Sequence, residues 1–199
     1  MSALADRIGD ALLRNTGETS DFDLNPDTVL DARRKLRDAG VLLGIETFGP
    51  RPEVLLTKRS SALKHHPGQI AFPGGKVDPT DETASAAALR EAWEEVGLPL
   101  DRARILGQMS QHETVTGFRI TPVVALIERP FESRAEVGEV AEIFRVPLAH
   151  VLDTSRYQVQ SRRWRGSWRY YFTVPFGPYY VWGATARILR GFAAAMDPQ

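Results

Sequence analysis

The pattern of hydrophobic and polar positions predicts a helix at each end of the chain. Residues 2–14 have the apolar spacing of a helix at Leu4, Ile8, Leu12 and Leu13. A second helix is predicted over 27–39, where the pattern ends at Gly40, and a last one over 180–195. The N-terminal and C-terminal segments are therefore expected to be helical.

The middle of the chain alternates between strand-like and helix-like patterns. Two strands, 41–47 and 53–59, are joined by a Gly49-Pro50 turn, and two more are predicted over 103–111 and 117–127. Between these pairs, 63–81 is rich in Gly, Pro and His and predicts a loop that crosses the sheet, followed by a helix over 85–96.

Two further elements are predicted towards the C-terminus. Residues 139–152 indicate a short helix followed by a corner at "VPL", and 157–176 alternate large and polar residues about a Gly166-Ser167 pair, which is typical of a tight hairpin. Helices thus lie before, within and after a set of strands. This order predicts an α/β sandwich around a mixed sheet.

The helix over 85–96 concentrates acidic residues on one side. On a helical wheel, one arc holds Leu89, Ala92, Trp93 and Val96. The opposite arc holds Arg90, Glu91, Glu94 and Glu95. Like charges at this spacing destabilise a helix by roughly 0.2 to 0.5 kcal/mol per pair. Two interpretations follow: a solvated polar face, or a site for a hard divalent cation such as Mg²⁺, which takes oxygen ligands.

Composition narrows the classes of protein. Lysine plus arginine equals aspartate plus glutamate at 25 each, so an anionic ligand needs a local site, and nucleic acid is not the expected partner. The absence of cysteine excludes a disulfide scaffold and a cysteine nucleophile. No apolar run approaches the ~18 residues of a membrane helix, and no secretory signal is evident, so we expect a cytoplasmic protein without membrane contact.

The acidic helix and the residues before it carry a resemblance. The stretch "GGKVDPTDETASAAALREAWEEVGL", residues 74–98, resembles the Nudix box, G-x5-E-x7-R-E-U-x-E-E-x-G-U with U aliphatic. The C-terminal half matches fully when Ala92 fills the first U. The N-terminal half departs by one residue, because five residues separate Gly75 from Asp81, whereas seven residues separate Glu82 from Arg90.

A second motif lies directly upstream. "LLTKRSSALKHHPGQIAFPGG", residues 55–75, resembles the signature of the coenzyme A pyrophosphatase branch of the Nudix family, L-L-T-x-R-[SA]-x3-R-x3-G-x3-F-P-G-G. It differs where Lys64 replaces arginine, which keeps the charge but loses the planar fork. "VWGATARILRGF" near the C-terminus is also similar to this branch.

The resemblance implies both a fold and an activity. The fold would be a Nudix-type α/β/α sandwich with a mixed sheet, formed by residues 27–199, with residues 1–26 as an N-terminal helical extension. The activity would be hydrolysis of coenzyme A or an acyl-CoA to 3′,5′-ADP and 4′-phosphopantetheine or its acyl form, with Mg²⁺ or Mn²⁺. Alternatives are another diphosphate substrate, namely ADP-ribose, a dinucleotide or capped RNA, or a catalytically silent module that binds nucleotide or RNA.

The resemblance also assigns roles to residues. The metal ligands would be Glu91, Glu94, Glu95 and the Gly75 carbonyl. Arg90 would orient them, paired with Glu94 or with Asp81 or Glu82. The base that activates water would be a box glutamate or one from a later loop, with Glu139 and Glu142 ahead of Glu113, although each of these three is also explained as a surface charge.

Residues of the upstream motif are the candidates for substrate binding. Arg59, Lys64 and His65 would meet the phosphates, while Gly74 and Gly75 would allow close backbone approach. We do not expect zinc at the adjacent His65 and His66, because neighbouring residues rarely reach one ion together.

The segment "RRWRGSWRYYF" interleaves basic and aromatic residues. Its arginines are Arg162, Arg163, Arg165 and Arg169, and its aromatic residues include Trp164, Trp168, Tyr170 and Tyr171. This composition suits stacking on single-stranded nucleic acid. It equally suits a hairpin whose arginines face solvent and whose aromatic residues cover the sheet or a second subunit. The neutral total charge favours the hairpin, and exposed aromatic residues would fit a homodimer.

Overall fold

The computed structural model describes residues 3–14, 17–31, 33–164 and 166–197. In this part of the chain, the helices longer than one short turn are α1 (Ala3–Arg14), α2 (Ala84–Val96), α3 (Leu148–Leu152) and α4 (Gly183–Met196). The strands are β1 (Thr19–Ser20), β2 (Arg37–Glu46), β3 (Glu53–Arg59), β4 (Ile70–Ala71), β5 (Gly74–Lys76), β6 (Ala103–Gln108), β7 (His112–Glu113), β8 (Phe118–Ile127), β9 (Val140–Pro147), β10 (Gln158–Trp164) and β11 (Ser167–Thr173).

Strands β1 to β9 of the described chain form one mixed sheet. Its path is β1-β7-β8-β2-β3-β4, with β5 paired to β2, β6 to β8 and β9 to β3. The central strands β2 and β8 are parallel along their whole length, from Arg37 opposite Phe118 to Glu46 opposite Ile127. Most other pairs are antiparallel, including the predicted hairpin of β2 and β3. The predicted mixed sheet is confirmed.

Helices cover both faces of this sheet. On one face, α2 buries Ala88, Ala92 and Val96 against side chains of β2, β3 and β8. On the other face, the core includes Ile8 of α1, Val151 of α3 and Phe192 of α4. Each face of the sheet therefore has its own apolar core, and the predicted α/β/α sandwich is confirmed.

The acidic helix lies unusually close to the sheet at its first turn. A Cβ atom added to Gly40 of β2 would lie 2.0 Å from the Ala84 carbonyl oxygen, closer than any side chain could be tolerated. The Thr83 side chain accepts a hydrogen bond from the Ala86 N–H at 3.1 Å and caps this turn. Gly40 and Thr83 together fix where α2 begins on the sheet.

The N-terminal residues are integrated with the rest of the fold. Ile8 and Ala11 of α1 are fully buried. β1 extends the sheet by pairing with β7, where the buried His112 is bonded to Thr19 Oγ1 at 2.9 Å and to Asp21 Oδ1 at 3.2 Å. The division into an extension of 1–26 and a domain of 27–199 stays a prediction.

The predicted helix over 27–39 is wrong. The described residues of 27–36 form turns and irregular chain, and β2 begins at Arg37. Val29 is 95% exposed and Leu30 is 39% exposed, so these apolar side chains make little packing contact. A short helix gains most of its stability from such packing, and without it the propensity of the segment is not enough.

The predicted helix over 139–152 is also wrong over most of its length. Val140–Pro147 is strand β9, which pairs antiparallel with β3, and only Leu148–Leu152 is helical. The buried residues Val140, Phe144 and Val146 lie an even number of positions apart, which is the period of a strand. Pairing with the free side of β3 decides the conformation.

The remaining predictions agree closely with the structure. The hairpin is present as β10 and β11, and the last helix begins at Gly183, three residues later than predicted. Strands β6 and β8 occupy the segments predicted for them, with the short β7 between. The loop of 63–81 contains two short strands, β4 and β5. Across the described residues, each helix is too short or too polar to span a membrane.

Candidate active site

A cavity of about 550 Å³ opens between α2, β5 and the segment before β9. Ten described residues line it, and six of them carry a carboxylate while two carry a guanidinium. They are Arg59, Gly74, Gly75, Asp78, Arg90, Glu91, Glu94, Glu95, Glu136 and Glu139. We call it the acidic cavity.

Helix α2 supplies one wall of the acidic cavity. Glu91, Glu94 and Glu95, which are predicted as metal ligands, all line it, but the helix is rotated from the predicted orientation. Glu95 is 4% exposed, whereas Trp93 is 49% exposed, so these two residues exchange the environments that the helical wheel gave them. Small side chains at Ala88 and Ala92 let the helix lie close to the sheet, and this narrow contact leaves Trp93 outside.

Arg90 joins the carboxylates of this wall into one network. Its guanidinium donates to Asp81 Oδ1 at 3.1 Å and Oδ2 at 2.9 Å, to Glu91 Oε1 at 2.9 Å and to Glu94 Oε2 at 3.1 Å. It also donates to the Lys76 carbonyl at 3.2 Å. The predicted pairing of Arg90 is confirmed for Glu94 and Asp81, and the structure gives no such bond to Glu82.

The Gly74-Gly75 pair forms the neighbouring wall. The Gly74 N–H donates to Glu95 Oε2 at 3.1 Å. A Cβ atom on Gly75 would lie 2.4 Å from Glu91 Oε1, so a side chain at this position would displace that carboxylate. The two glycines therefore bring backbone against the acidic helix, and their role in substrate binding stays a prediction.

Burial and neighbouring charges shift the pKa values of the buried carboxylates of α2. Burial raises the pKa of Glu95 to about 8. The hydrogen bond from Gly74 is the main effect that lowers this pKa, whereas the negative charges of Glu91 and Glu139 raise it further. Arg59, with Nη1 4.0 Å from Glu95 Oε1, also opposes the rise. Burial likewise raises the pKa of Glu91, against the hydrogen bond from Arg90. The hydrogen bonds and positive charges of the protein therefore do not offset the cost of burying these two carboxylates in their charged form.

The facing wall is the segment of residues 133–139, which we call the wall segment. It is held by the last carbonyls of α2, since the Arg134 N–H donates to Val96 O and the Glu136 N–H donates to Glu95 O, both at 3.0 Å. Glu136 in turn accepts a hydrogen bond from the Glu139 N–H at 3.0 Å. The wall segment thereby places Glu136 and Glu139 opposite the acidic helix.

Comparison with known proteins agrees with this geometry. The model of the family described as NUDIX domain matches residues 36–172, which is more than half of the chain. The chain belongs to the Nudix family. Its Nudix fold carries the acidic cavity on the helix of the Nudix box.

Curated Nudix relatives extend over most of the chain. Proteins named "Uncharacterized Nudix hydrolase NudL" from Cronobacter sakazakii and Escherichia coli (strain K12) are 43% identical over 157 residues. The matched region covers 79% of this chain and 81% of each relative. Among solved structures, RenU, a Nudix hydrolase from M. smegmatis, aligns with 59% of this chain and 74% of its own at 26% identity and a TM-score of 0.49.

Some predicted Nudix site residues lie away from the acidic cavity. Lys64 and His65 are exposed in the loop between β3 and β4. Glu142 accepts a hydrogen bond from the Tyr179 hydroxyl, and Glu113 forms an ion pair with Arg34 near the sheet edge. Of the three later carboxylates considered as the base, Glu139 is the one that lines the cavity.

Two residues that line the acidic cavity were missed from the sequence. Asp78 and Glu136 line the acidic cavity together with the predicted residues. Asp78 lies three positions after Gly75, inside the box itself, and Glu136 lies three positions before Glu139. The sequence signal that could have indicated both residues is that each carboxylate lies in a turn, three positions from a residue already predicted for the site.

The donors of the acidic cavity fit the divalent ions that Nudix hydrolases generally use. All its acidic groups offer carboxylate oxygens, the ligands that Mg²⁺ and Mn²⁺ prefer. A cation bound nearby would also lower the raised pKa of the buried Glu95 carboxylate. Among the described residues, no three acidic or histidine side chains already meet as a ready-made ligand cluster. Glu91 and Glu94 are instead directed to Arg90.

Proposed function

We propose that the chain is a metal-dependent pyrophosphohydrolase that cleaves the diphosphate of coenzyme A or an acyl-CoA to 3′,5′-ADP and 4′-phosphopantetheine or its acyl form. Nudix family proteins act on small nucleotide substrates, and this chain is a member. The single observation that carries the proposal is the acidic cavity, where six carboxylates face two arginines.

The excess of negative charge indicates how the cavity works. A diphosphate is itself anionic and would be repelled by these carboxylates unless cations lie between them. Mg²⁺ or Mn²⁺ bound there would neutralise the phosphates and lower the pKa of a bound water. We assign Glu91, Glu94, Glu95 and the Gly75 carbonyl as the ligands of these ions.

Other residues of the cavity receive roles from their positions. Arg90 is a positioning residue, since it touches Glu91 and Glu94 and is anchored to Asp81. We propose Glu139 as the base that accepts the proton of the attacking water, because it faces α2 across the cavity. Arg59 lines the cavity next to Glu139, since it pairs with Val140 in the sheet, and it would bind a phosphate oxygen.

The upstream motif supports coenzyme A among the diphosphate substrates. It covers β3, β4 and the loop between them, and it ends at Gly75 in the cavity wall. The loop joins directly to cavity residues, because the Ser60 N–H donates to the Glu139 carbonyl at 2.7 Å. Lys64 and His65, exposed on this loop, would meet the further phosphate that coenzyme A carries on its ribose.

A substrate panel with defined metals tests the proposal. The purified chain is incubated with Mg²⁺ or Mn²⁺ and with coenzyme A, acetyl-CoA, ADP-ribose, a dinucleoside polyphosphate or capped RNA, and products are identified by mass. We expect 3′,5′-ADP from the first two substrates. Cleavage of ADP-ribose with coenzyme A untouched would overturn the substrate assignment, and inertness towards every substrate would favour a silent binding module.

A matched pair of variants tests the metal site. Glu94→Gln removes one ligand charge while keeping the shape of the side chain, and we expect the turnover to fall by about 10²-fold or more. Trp93→Gln changes the neighbouring exposed residue and should leave the turnover within about twofold. Metal binding by calorimetry should weaken in the first variant alone, and unchanged turnover in Glu94→Gln would contradict the ligand assignment.

Association with a second copy completes the proposal. Trp168 and Tyr170 of the β10–β11 hairpin are 61% and 48% exposed, which supports the homodimer expected from the sequence.

A further inference from the structure

Strand β10 of the β10–β11 hairpin has little cover, whereas β11 packs Phe172 and Thr173 against the domain. In β10, every residue from Gln158 to Arg163 is exposed. Val159, Trp168 and Tyr170 each keep about half or more of their surface in solvent. A two-stranded hairpin alone is only marginally stable in water, so cover from another chain would stabilise it.

One edge of the hairpin is already closed. The Asn25 side chain donates to the Tyr170 carbonyl and accepts from the Tyr170 N–H, both at 2.9 Å. It therefore takes the place of a neighbouring strand along the outer edge of β11. Asn25 is itself 8% exposed, so this contact is a built part of the fold.

The backbone hydrogen bonds of Tyr170 show which groups point to the other edge of the hairpin, the outer edge of β10. Because both backbone groups of Tyr170 point to Asn25, its cross-strand partner Ser161 must point its own N–H and C=O away from β11. Every second residue of an antiparallel strand does the same, so Val159 and Arg163 also present both groups outward. Within the described residues, these outward groups have no backbone hydrogen-bond partner outside the hairpin. The outer edge of β10 is open.

We propose that this edge is the dimer interface, where β10 pairs antiparallel with β10 of a second copy about a two-fold axis at Ser161. Ser161 then lies opposite the partner's Ser161, and Val159 lies opposite the partner's Arg163. All of these residues have outward-pointing backbone groups, so each opposed pair exchanges both hydrogen bonds. The two hairpins become one four-stranded sheet.

The charges of β10 are compatible with this register. Arg162 faces the partner's Gln160 and Arg163 faces the partner's Val159, so no arginine lies directly opposite another. A shift that centred the axis on Arg162 would oppose two like charges, which is destabilising. On the face of Val159, the row from Phe172 through Val159 continues across the axis to the partner's Arg163 and Trp168, so the apolar side chain of Val159 gains the stem of the partner's Arg163 as a neighbour.

The proposal rests on the homodimer of the proposed function but not on its chemistry. The mass in solution, measured by sedimentation or light scattering, should be twice 22.2 kDa. Hydrolysis is measured on the same samples. A monomer that hydrolyses its substrate would overturn the interface alone, and a dimer without hydrolysis would leave the interface standing and contradict the enzyme assignment.

Cross-linking tests the register directly, since the chain has no cysteine of its own. In Ser161→Cys, the two introduced thiols face each other about 5.5 Å apart at Cα, within reach of a disulfide. In the control Gln160→Cys, the two thiols are offset by two residues, about 8 Å apart at Cα and out of reach. We expect at least tenfold more disulfide dimer at 161, and equal cross-linking would overturn the register.

Two further variants test the edge without disturbing the fold. Ser161→Pro removes an N–H that β11 does not use, so the hairpin should persist while the dimer dissociates, whereas Ser161→Thr should remain dimeric. Val159→Lys should raise the dimer dissociation constant at least tenfold by opposing the partner's Arg163, and adding Arg163→Glu should restore it. A monomeric chain whose tryptophan fluorescence is quenched by single-stranded RNA would overturn the proposal in favour of nucleic acid.

Discussion

Arg90 and Asp81 are joined by two hydrogen bonds, Nε to Oδ1 at 3.1 Å and Nη2 to Oδ2 at 2.9 Å. This contact answers the question left open by the irregular Nudix box. The box departs from the general pattern by one residue, and either Asp81 or Glu82 could have held the arginine. Asp81 holds it, so the additional residue lies between the loop carboxylate and the helix.

We expect this pair to orient the site in the proposed reaction. Asp81→Asn weakens the anchor of Arg90, which in turn touches Glu91 and Glu94, so kcat/KM should fall by about 10- to 100-fold. Glu82→Gln removes the adjacent, exposed carboxylate and should change kcat/KM by less than about twofold. Steady-state kinetics on both variants checks the assignment, which equal losses would contradict.

The same pair predicts a dependence of stability on pH. The hydrogen bond from Arg90 lowers the pKa of Asp81 below its ordinary value of 3.8. Asp81 therefore stabilises the folded state above pH 3.8 and loses this contribution as the pH falls through its lowered pKa. The difference in free energy of unfolding between the wild type and Asp81→Asn, from denaturant titrations, should be constant between pH 5 and 7 and shrink below about pH 4. A difference that persists undiminished to pH 2 would refute this.

The positions of two glutamates separate a proposed base from a structural residue. Glu139 lines the acidic cavity, whereas Glu142 accepts a hydrogen bond from Tyr179, which stacks on Phe144 with ring centroids 3.7 Å apart. Loss of a general base typically costs 10²- to 10⁴-fold in rate, and we expect a fall in kcat of about this size for Glu139→Gln. Glu142→Gln should leave kcat almost unchanged. Should Glu142→Gln prove the more damaging, the base has been assigned wrongly.

A partly buried ion pair between Glu46, at the end of β2, and Arg145 predicts a stability effect away from the cavity. Glu46 is 6% exposed and accepts from Arg145 Nε at 3.2 Å and Nη2 at 3.0 Å, while Arg145 also donates to Ser133 Oγ at 2.6 Å. Glu46→Ala strands the guanidinium and should cost about 2 to 4 kcal/mol in free energy of unfolding.

Replacing both members of this pair is the matched control. Glu46→Leu with Arg145→Met leaves no uncompensated charge and should cost less than about 1.5 kcal/mol, measured by urea denaturation. If the double variant is as unstable as Glu46→Ala, the ion pair itself stabilises the folded state, and the loss in Glu46→Ala is not explained by the unpaired charge of Arg145 alone.

Local signals in the sequence were sufficient for much of the fold. The helix after Thr83 has a capping residue, an apolar stripe and a terminating Gly97, and its bounds were predicted within one or two residues. The hairpin of β10 and β11 likewise follows from alternation about a glycine turn. These elements are determined by neighbours in the chain, which sequence patterns record.

Elements that depend on distant partners were less predictable. Val140–Pro147 was predicted as helix because its strand conformation is set by pairing with β3, more than 80 positions earlier. The start of β2 at Arg37 likewise depends on the parallel partner β8. In the site, the orientation of Glu95 depends on the Gly74 N–H, and Asp78 and Glu136 enter the cavity through turns whose paths the sequence pattern did not indicate.

The bonds from the wall segment to the Val96 and Glu95 carbonyls have a mechanical consequence. Two opposite sides of the cavity move as one body, so the gap between them cannot widen without breaking the end of α2. Admission of a bulky nucleotide should then depend on the remaining side of the cavity, where Arg59, Gly74 and Gly75 lie. Amide exchange measured with and without nucleotide should change at these residues, while the carboxylate spacing between α2 and the wall segment stays constant.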